Sequence, residues 1–156
     1  MSNLLDTRAR AVYDLSEGKI LGAVEIPATA EVIFPALTGQ EVIKWWVNPG
    51  IFDTREWNAD CRQGGGWKAK GIGRGQPYTL EGEFVEISPP FKLVHTWKSG
   101  GSSDQDTAVT YILNKLPGGT RLTLRHEGFK NTTSLIRTCV GWETSLEALV
   151  QLMSQS

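Results

Sequence analysis

The chain has 156 residues, with 16 Lys and Arg against 17 Asp and Glu, so its formal net charge is -1. No run of basic residues is present, which argues against electrostatic binding to nucleic acid or to an anionic membrane surface. No apolar run approaches the ~18 residues of a membrane-spanning helix, and the first residues lack the basic-then-apolar order of a signal peptide. We therefore expect one domain of ordinary size in the cytoplasm, as a monomer or homodimer.

The first part of the chain carries little periodic signal. Residues 1–16 show no firm alternation and are predicted to be a weakly structured leader, while residues 17–156 are predicted to form the single domain. Lys19 to Ile26 alternates in the manner of a strand, and Pro27 closes it because proline cannot donate a ladder hydrogen bond.

Two short helices are predicted directly after this strand. The first begins at Thr29 or Ala30 and ends at Leu37, with Thr29 as the N-cap because its hydroxyl can accept an otherwise unpaired backbone N–H. The second covers Gln40–Trp46 and is stopped by Asn48-Pro49-Gly50. Two helices immediately after an edge strand are an unusual opening for a mostly β protein.

Six further strands follow from alternating apolar and polar residues separated by glycine- and proline-rich turns. The predicted strands are Phe52–Trp57, Gly66–Gly71, Thr79–Ile87, Lys92–Lys98, Ala108–Leu113 and Arg121–Glu127. The clearest hairpin is the last pair, which turns at Pro117-Gly118-Gly119. The glycine-rich segment from Gly71 to Gly75 is interpreted as a hairpin turn, because no helix N-terminus follows it to receive a phosphate.

The longest predicted helix, about Thr133 to Met153, ends the domain. Its apolar residues recur at spacings of three and four and form one stripe, made of Leu135, Cys139, Trp142, Leu146, Leu149 and Met153. At a rise of 1.5 Å per residue, a helix of about 21 residues is roughly 31 Å long, enough to cross a sheet. We therefore expect an α+β fold in which this helix lies across the concave side of the sheet.

Eight segments in chain order carry a resemblance to a known family. They are Glu25-Ile-Pro-Ala28, Ala36-Leu-Thr38, Trp45-Trp46, Gly64-Gly65-Gly66-Trp67, Gly82 to Pro90, Leu93-Val-His-Thr-Trp97, Gly119 to Phe129, and Gly141-Trp142. Together, from about Lys19 to Met153, they resemble the START-like (SRPBCC) superfamily, in the branch similar to the C-terminal domain of heat-shock-protein ATPase activators.

The resemblance implies a helix-grip fold, in which a seven-stranded curved antiparallel sheet wraps around the long C-terminal helix and two short helices follow the first strand. It also implies a cavity between sheet and helix. Members of the superfamily bind lipids, hormones or polyketide-like molecules, a few catalyse cyclisation or related reactions, and the activator branch binds a chaperone. The separate N-terminal domain of the full activators is not found in this sequence, which argues against a stimulating co-chaperone role.

The two histidines are the candidates for catalysis. His95 shares a strand face with Leu93 and Trp97, and His126 shares one with Leu122 and Leu124. An inward histidine can polarise a carbonyl or shuttle a proton, but on an apolar strand face it is more often a hydrogen-bonded core residue. No cysteine or acidic residue shares their face at metal-ligand spacing, so no metal site and no cofactor are expected.

A ligand site is predicted from aromatic and polar residues that face the expected cavity. These residues are Trp45, Trp46, Trp67, Trp97, His95, Tyr111, His126 and Trp142. Consecutive helical residues point about 100° apart, so one of Trp45 and Trp46 is expected in the core and the other at the rim of the cavity. Trp142 lies in the apolar stripe of the last helix, where core packing is the simpler interpretation.

Three functions remain open at the level of sequence. The first is a protein that binds a small hydrophobic or amphipathic molecule between sheet and helix. The second is a chaperone-interacting module of the activator type, which predicts a filled cavity and an exposed apolar patch. The third is a cyclase, dehydratase or hydrolase that uses His95 or His126 as an acid–base group.

Overall fold

Nine antiparallel strands form one curled sheet, and a long C-terminal helix packs against its inner face. The computed structural model describes residues 5–99 and 106–154. The strands are β1 (Arg10–Asp14), β2 (Lys19–Ile26), β3 (Val47–Asn48), β4 (Phe52–Ala59), β5 (Gly66–Gly73), β6 (Gln76–Ser88), β7 (Lys92–Ser99), β8 (Thr107–Leu116) and β9 (Gly119–Glu127). The helices are α1 (Ala30–Thr38), α2 (Val42–Trp45) and α3 (Thr132–Ser154), and the strand order is β1-β2-β9-β8-β7-β6-β5-β4-β3.

The helix-grip fold predicted from the sequence is confirmed, but the sheet has nine strands instead of seven. The two additional strands are β1 and β3, which lie at opposite edges of the sheet. Both are short, and neither has the alternating burial that reveals a strand in a sequence. Strands held by backbone pairing at an edge leave little hydrophobic pattern to detect.

The strand β1 forms inside residues 1–16, the segment expected to be weakly structured. It pairs antiparallel with β2, with Arg10 opposite Ala23 and Asp14 opposite Lys19. Two backbone N–H groups at its start donate to carboxylates of α3: Ala9, just before β1, to Glu147 at 3.1 Å, and Ala11, within β1, to Glu143 at 3.0 Å. These contacts join residues more than 130 positions apart, so no local sequence pattern predicts them.

Hydrogen bonds at both ends of α1 hold the two short helices in place. The Thr29 hydroxyl accepts a hydrogen bond from the Val32 N–H at 3.3 Å, which confirms the predicted N-cap of α1. At the other end, the Trp45 indole N–H donates to the Ala36 carbonyl at 2.8 Å, and the Trp57 indole N–H donates to the Thr38 carbonyl at 3.1 Å. The last carbonyls of a helix have no partner within it, so these indoles fix α1 to α2 and to β4.

The core lies between α3 and the inner face of the sheet. All six residues of the predicted apolar stripe of α3 are buried. Opposite them, inner-face residues of β2, β8 and β9 such as Ile20, Tyr111 and Leu122 are fully buried. Burying one side chain of this size stabilises the fold by about 1.5–3 kcal/mol. The contact between α3 and the inner face of the sheet therefore contributes a large part of the stability.

Two irregularities bend the sheet around the helix. The register shifts between Thr54 and Glu56 in β4, and between Phe84 and Glu86 in β6. Such bulges increase local twist and bend the strand that carries them. Residues of β4 and of the β5–β6 hairpin face α3 across a shared concavity. No helix in the described part of the chain is long and apolar enough to cross a membrane.

Candidate functional site

A cavity of about 330 Å³ opens between α3 and the bent end of the sheet. Its apolar wall is mostly aromatic, and its polar groups come from β4, the β5–β6 hairpin and α3. The lining residues are Trp46, Phe52, Thr54, Arg74, Tyr78, Leu80, Trp97, Arg137, Thr138, Gly141, Trp142 and Ser145. The volume falls at the lower end of the roughly 300–1,000 Å³ that is usual for small-molecule sites.

One face of α3 forms a side of this cavity. Arg137, Gly141 and Ser145 follow one another at intervals of four residues, so they lie on one face of the helix. Gly141 presents no side chain there, and a Cβ at this position would lie 3.4 Å from Cε1 of Phe52 on the opposite wall. The glycine therefore leaves open the space between helix and sheet.

The apolar wall belongs to a cluster that contains every tryptophan of the chain. The ring of Trp46 contacts each of the other five, with centroid separations from 5.0 Å to 6.0 Å, and these rings are Trp45, Trp57, Trp67, Trp97 and Trp142. All five pairs are edge-to-face or tilted, which are favourable geometries for aromatic rings. A wall of interlocked indoles is rigid, so the cavity is largely formed before anything binds.

The residues predicted as ligand contacts divide into two groups. Trp46, Trp97 and Trp142 line the cavity. The others, Trp45, Trp67, His95, Tyr111 and His126, are buried behind this wall and do not line it. Of the consecutive pair, Trp46 faces the cavity and Trp45 lies in the core with its N–H on the Ala36 carbonyl.

Nine lining residues were not recognised from the sequence: Phe52, Thr54, Arg74, Tyr78, Leu80, Arg137, Thr138, Gly141 and Ser145. Most come from β4, from the β5–β6 hairpin, and from the part of α3 beside the apolar stripe. Curvature of the sheet brings these segments together, and a strand pattern does not encode curvature. One usable signal was Gly141, because a glycine inside a long helix often marks a packing or functional requirement.

His126 is held neutral by a chain of buried hydrogen bonds. The Trp142 indole N–H donates to Nδ1 of His126 at 3.0 Å, so the ring proton must lie on Nε2. Nε2 then donates to the Thr107 hydroxyl at 2.6 Å, and this hydroxyl donates to the Trp97 carbonyl at 3.0 Å. Burial lowers the pKa of His126 well below its usual value, and nearby His95 adds to this effect. Both ring nitrogens are occupied.

His95 is also buried and neutral. Its Nδ1 donates to the Thr96 carbonyl at 3.0 Å, which leaves Nε2 to accept from the Tyr111 hydroxyl at 3.4 Å. Burial lowers the pKa of His95 to about 4, although the hydrogen bond to the Thr96 backbone works in the opposite direction. The candidate acid–base residues are thus neutral at pH 7 and lie outside the cavity lining.

Other buried polar groups lie near the same wall. Burial raises the pKa of the Tyr111 phenol, and the Trp46 indole N–H opposes this more weakly. That N–H does not reach hydrogen-bond geometry with any described acceptor. On the cavity surface, the hydroxyls of Thr54 and Tyr78 lie 2.6 Å apart and share a hydrogen bond, and burial raises the pKa of Tyr78. Within residues 5–99 and 106–154, no group of three or more His, Cys, Asp and Glu side chains could hold a metal ion.

A larger concavity of about 800 Å³ lies near the far ends of β4 to β7. Half of its lining residues are charged, including Lys68, Glu81, Glu83 and Lys98. Its lining includes Lys98 and Asp106, which lie close in sequence to the ends of the two described ranges. A ligand site is usually an apolar concavity with a few polar groups, so the smaller aromatic cavity is the better candidate.

Replacing Gly141 with alanine is expected to raise the free energy of unfolding by about 0.5–1 kcal/mol. Alanine has the higher helix propensity, and its Cβ would make ordinary van der Waals contact with Phe52. Urea denaturation of the purified variant measures the change. A loss of stability would mean that Phe52 cannot adjust and that the glycine is required for packing.

Solved structures with the same fold are numerous. Protein CV1439 from Chromobacterium violaceum is 23% identical, with a TM-score of 0.79 over 87% of this chain and 96% of that one. Protein Ms6760 from Mycobacterium smegmatis is 16% identical, with a TM-score of 0.80 over 94% and 96%. The AHSA1 protein SPO3351 from Silicibacter pomeroyi is 22% identical, with a TM-score of 0.74 over 88% and 99%. At these identities the similarity establishes the fold alone. No curated protein sequence matches the chain.

A sequence profile identifies the family. The profile described as "Activator of Hsp90 ATPase homolog 1-like protein" matches residues 27–154, which covers most of the domain from the end of β2 to the end of α3. This match agrees with the resemblance carried by the eight sequence segments and with the helix-grip architecture. The chain belongs to the family of Activator of Hsp90 ATPase homolog 1-like proteins, within the START-like superfamily.

Proposed function

We propose that the protein binds a small hydrophobic or amphipathic molecule in the cavity between α3 and the sheet. The observation that carries the proposal is a cavity of about 330 Å³ with three tryptophans in its wall and a few polar groups on its surface. This combination is typical of small-molecule sites, where apolar area supplies affinity and a few polar groups supply orientation.

The site is prepared for a ligand before binding. The Trp46-centred cluster fixes the apolar wall, so little side-chain freedom is lost when a ligand enters. Ser145 supports a polar contact: it is buried and lines the cavity, but its hydroxyl makes no hydrogen bond within the described residues. A bound molecule with a hydrogen-bonding group would satisfy it.

The geometry favours binding over acid–base catalysis. A cyclase or dehydratase that used the histidines would need one of them in the cavity with a ring nitrogen free to exchange a proton. His95 and His126 are instead behind the wall, neutral and hydrogen-bonded to Thr96, Tyr111, Thr107 and Trp142. These hydrogen bonds support a structural role for both rings.

The family match supports docking on a chaperone as a second candidate. That function predicts an exposed apolar patch, and Val85 and Phe91, near the β6–β7 turn, are each 50% exposed. It also predicts a filled cavity, which the open space beside α3 does not favour. A pull-down with the intact protein that recovers a chaperone through Phe91, and loses it in Phe91→Ser, would make docking the leading function.

Binding of the uncharged fluorophore N-phenyl-1-naphthylamine tests the proposal directly. We expect saturable one-to-one binding, with quenching of tryptophan emission by energy transfer. Replacing Ser145 with leucine places a larger side chain in the cavity and is expected to weaken binding at least about tenfold, a loss of about 1.4 kcal/mol. Native mass spectrometry of the protein as purified then shows whether a cellular molecule is retained.

The matched control is Gln151→Leu, at an exposed position of the same helix that does not line the cavity. It adds the same side chain to α3 and is expected to leave binding unchanged. Absence of saturable binding to the wild-type protein contradicts the proposal. Equal affinity in wild type and Ser145→Leu contradicts it as well, because the probe would then bind elsewhere.

A further inference from the structure

Two arginines stand at the opening of the cavity. Arg74 in the β5–β6 turn and Arg137 on α3 both line the cavity, and both are exposed to solvent. They also line an adjoining depression of about 320 Å³, which shares Phe52 and Gly141 with the cavity. The two guanidinium groups therefore mark the place where the cavity meets the surface. Arg74 and Arg137 are called the arginine pair below.

Neither member of the arginine pair has a counter-charge in the described residues. No aspartate or glutamate lines the cavity or the adjoining depression, and neither arginine forms an ion pair within residues 5–99 and 106–154. Tyr78 lines the cavity, and the negative charge of Asp53 contributes to the raised pKa of its phenol. The Asp53 carboxylate is already held by Arg55 at 3.0 Å. The positive charges of the arginine pair are therefore available to a negatively charged group of a bound molecule.

The backbone at Arg74 adds an independent observation. Its φ is 51°, and Gly75 follows with a φ of 78°, so two consecutive residues with positive φ form the turn between β5 and β6. Asn-Gly is the favoured pair in such a turn, and a residue with a bulky side chain costs about 1–2 kcal/mol in this conformation. The Arg74 N–H donates to the Ile51 carbonyl at 2.7 Å and holds the turn in place. Strained residues cluster at binding sites, so the conformation of Arg74 supports a role for its side chain there.

We propose that the molecule bound in the cavity is an anionic amphiphile, with its apolar part against Trp46, Trp97 and Trp142 and its oxyanion on the arginine pair. The inference rests on the proposed binding function and names the ligand class. Carboxylate, sulfonate and phosphate groups share the geometry that a guanidinium binds through two parallel hydrogen bonds. A low net charge of -1 means that this local positive field is a property of the site, not of the whole surface.

Two probes that differ by one sulfonate test the inference. The wild-type protein is expected to bind 8-anilinonaphthalene-1-sulfonate at least about tenfold more tightly than uncharged N-phenyl-1-naphthylamine at low salt. The double substitution Arg74→Asn with Arg137→Gln is expected to abolish this preference, because the affinity for the sulfonate falls by a much larger factor than the affinity for the uncharged probe. Asparagine tolerates positive φ, so the turn is expected to remain folded.

The matched control is Arg62→Gln with Arg125→Gln, which also removes two positive charges but at positions outside the cavity lining. It is expected to retain the preference for the sulfonate. Competition extends the result to carboxylates: dodecanoate is expected to displace the sulfonate probe at lower concentration than 1-dodecanol does.

The outcomes separate the two proposals. If both probes bind with equal affinity and Ser145→Leu weakens both, the binding function stands and the anionic class is overturned. If neither probe binds the wild-type protein, the function itself fails. Sedimentation with phosphatidylglycerol vesicles distinguishes a free amphiphile from a lipid surface. Co-sedimentation that disappears in the double variant would overturn the free-ligand inference and assign the arginine pair to the membrane.

Discussion

Replacing Trp142 with alanine is expected to lower the free energy of unfolding by about 3–5 kcal/mol, the usual cost of removing a buried tryptophan or phenylalanine ring. Trp142 is 3% exposed and its ring contacts Trp45, Trp46, Trp97 and Tyr111. Its loss leaves a void beside the cavity. It also removes the donor to Nδ1 of His126, which leaves a buried acceptor unpaired. Urea denaturation followed by circular dichroism measures the change.

Trp142→Phe separates the two contributions. Phenylalanine retains most of the ring contacts but cannot donate to His126, so an intermediate loss of about 1–3 kcal/mol is expected. Thr107→Val tests the other end of the same chain of hydrogen bonds and is expected to cost a similar amount. If Trp142→Ala cost less than about 1 kcal/mol, the tryptophan cluster would not be the rigid wall that the binding proposal requires.

The protein is expected to lose about 3 kcal/mol of stability between pH 7 and pH 4 through His95 alone. Its pKa is about 4 in the fold, against 6.5 for an ordinary histidine, and each unit is worth 1.36 kcal/mol. In this range the unfolded chain binds a proton that the folded chain does not, so stability falls as the pH decreases from about 6.5. The pKa of His126 is lowered as well, and its effect has the same sign.

Urea denaturation at half-unit pH intervals measures this dependence. The variant His95→Gln cannot gain the proton, so its stability is expected to change less between pH 6.5 and pH 4, whatever its stability at pH 7. The carboxylates with lowered pKa, Asp14 and Glu25, start from ordinary values of 3.8 and 4.5 and act mainly at the acid end of the range. A wild-type stability that is constant from pH 7 to pH 4.5 would contradict the buried neutral state of His95.

Both expectations concern the same group of residues behind the cavity. The hydrogen bonds of His126 join β9 to α3 through Trp142 and to β7 through the carbonyl of Trp97. Trp97 and Trp142 are also two of the three tryptophans that line the cavity. The buried histidines therefore contribute to the proposed function indirectly, by holding the aromatic wall in position. Their protonation at low pH is expected to loosen that wall and to weaken probe binding.

The elements with a strong local pattern were predictable from the sequence. The apolar stripe of α3, the Thr29 cap of α1 and the β8–β9 hairpin were all identified, because each depends on residues a few positions apart. Family membership followed from segments spread over the whole domain, and the profile match over residues 27–154 confirms it.

The candidate site was predicted only in part. Three tryptophans that line the cavity were predicted from the sequence, because large aromatic residues that face a core are easy to recognise. Arg74 and Arg137 were not, since an arginine in a turn and another beside a helix stripe look like ordinary surface residues. The positive φ of Arg74 and the missing counter-charges become visible only when the turn and α3 face one another.

By itself, then, the sequence determined the family, whose resemblance implied the helix-grip fold, and the inner faces of the strands, because periodic burial depends on residues a few positions apart. Only the tertiary structure decided that β1 pairs along the edge of the sheet, that the histidines lie behind the cavity, and that two unpaired arginines share its opening. These features depend on the curl of the sheet, which brings residues from distant segments within contact. Such contacts are set by the packing of whole elements, and local residue patterns do not record them.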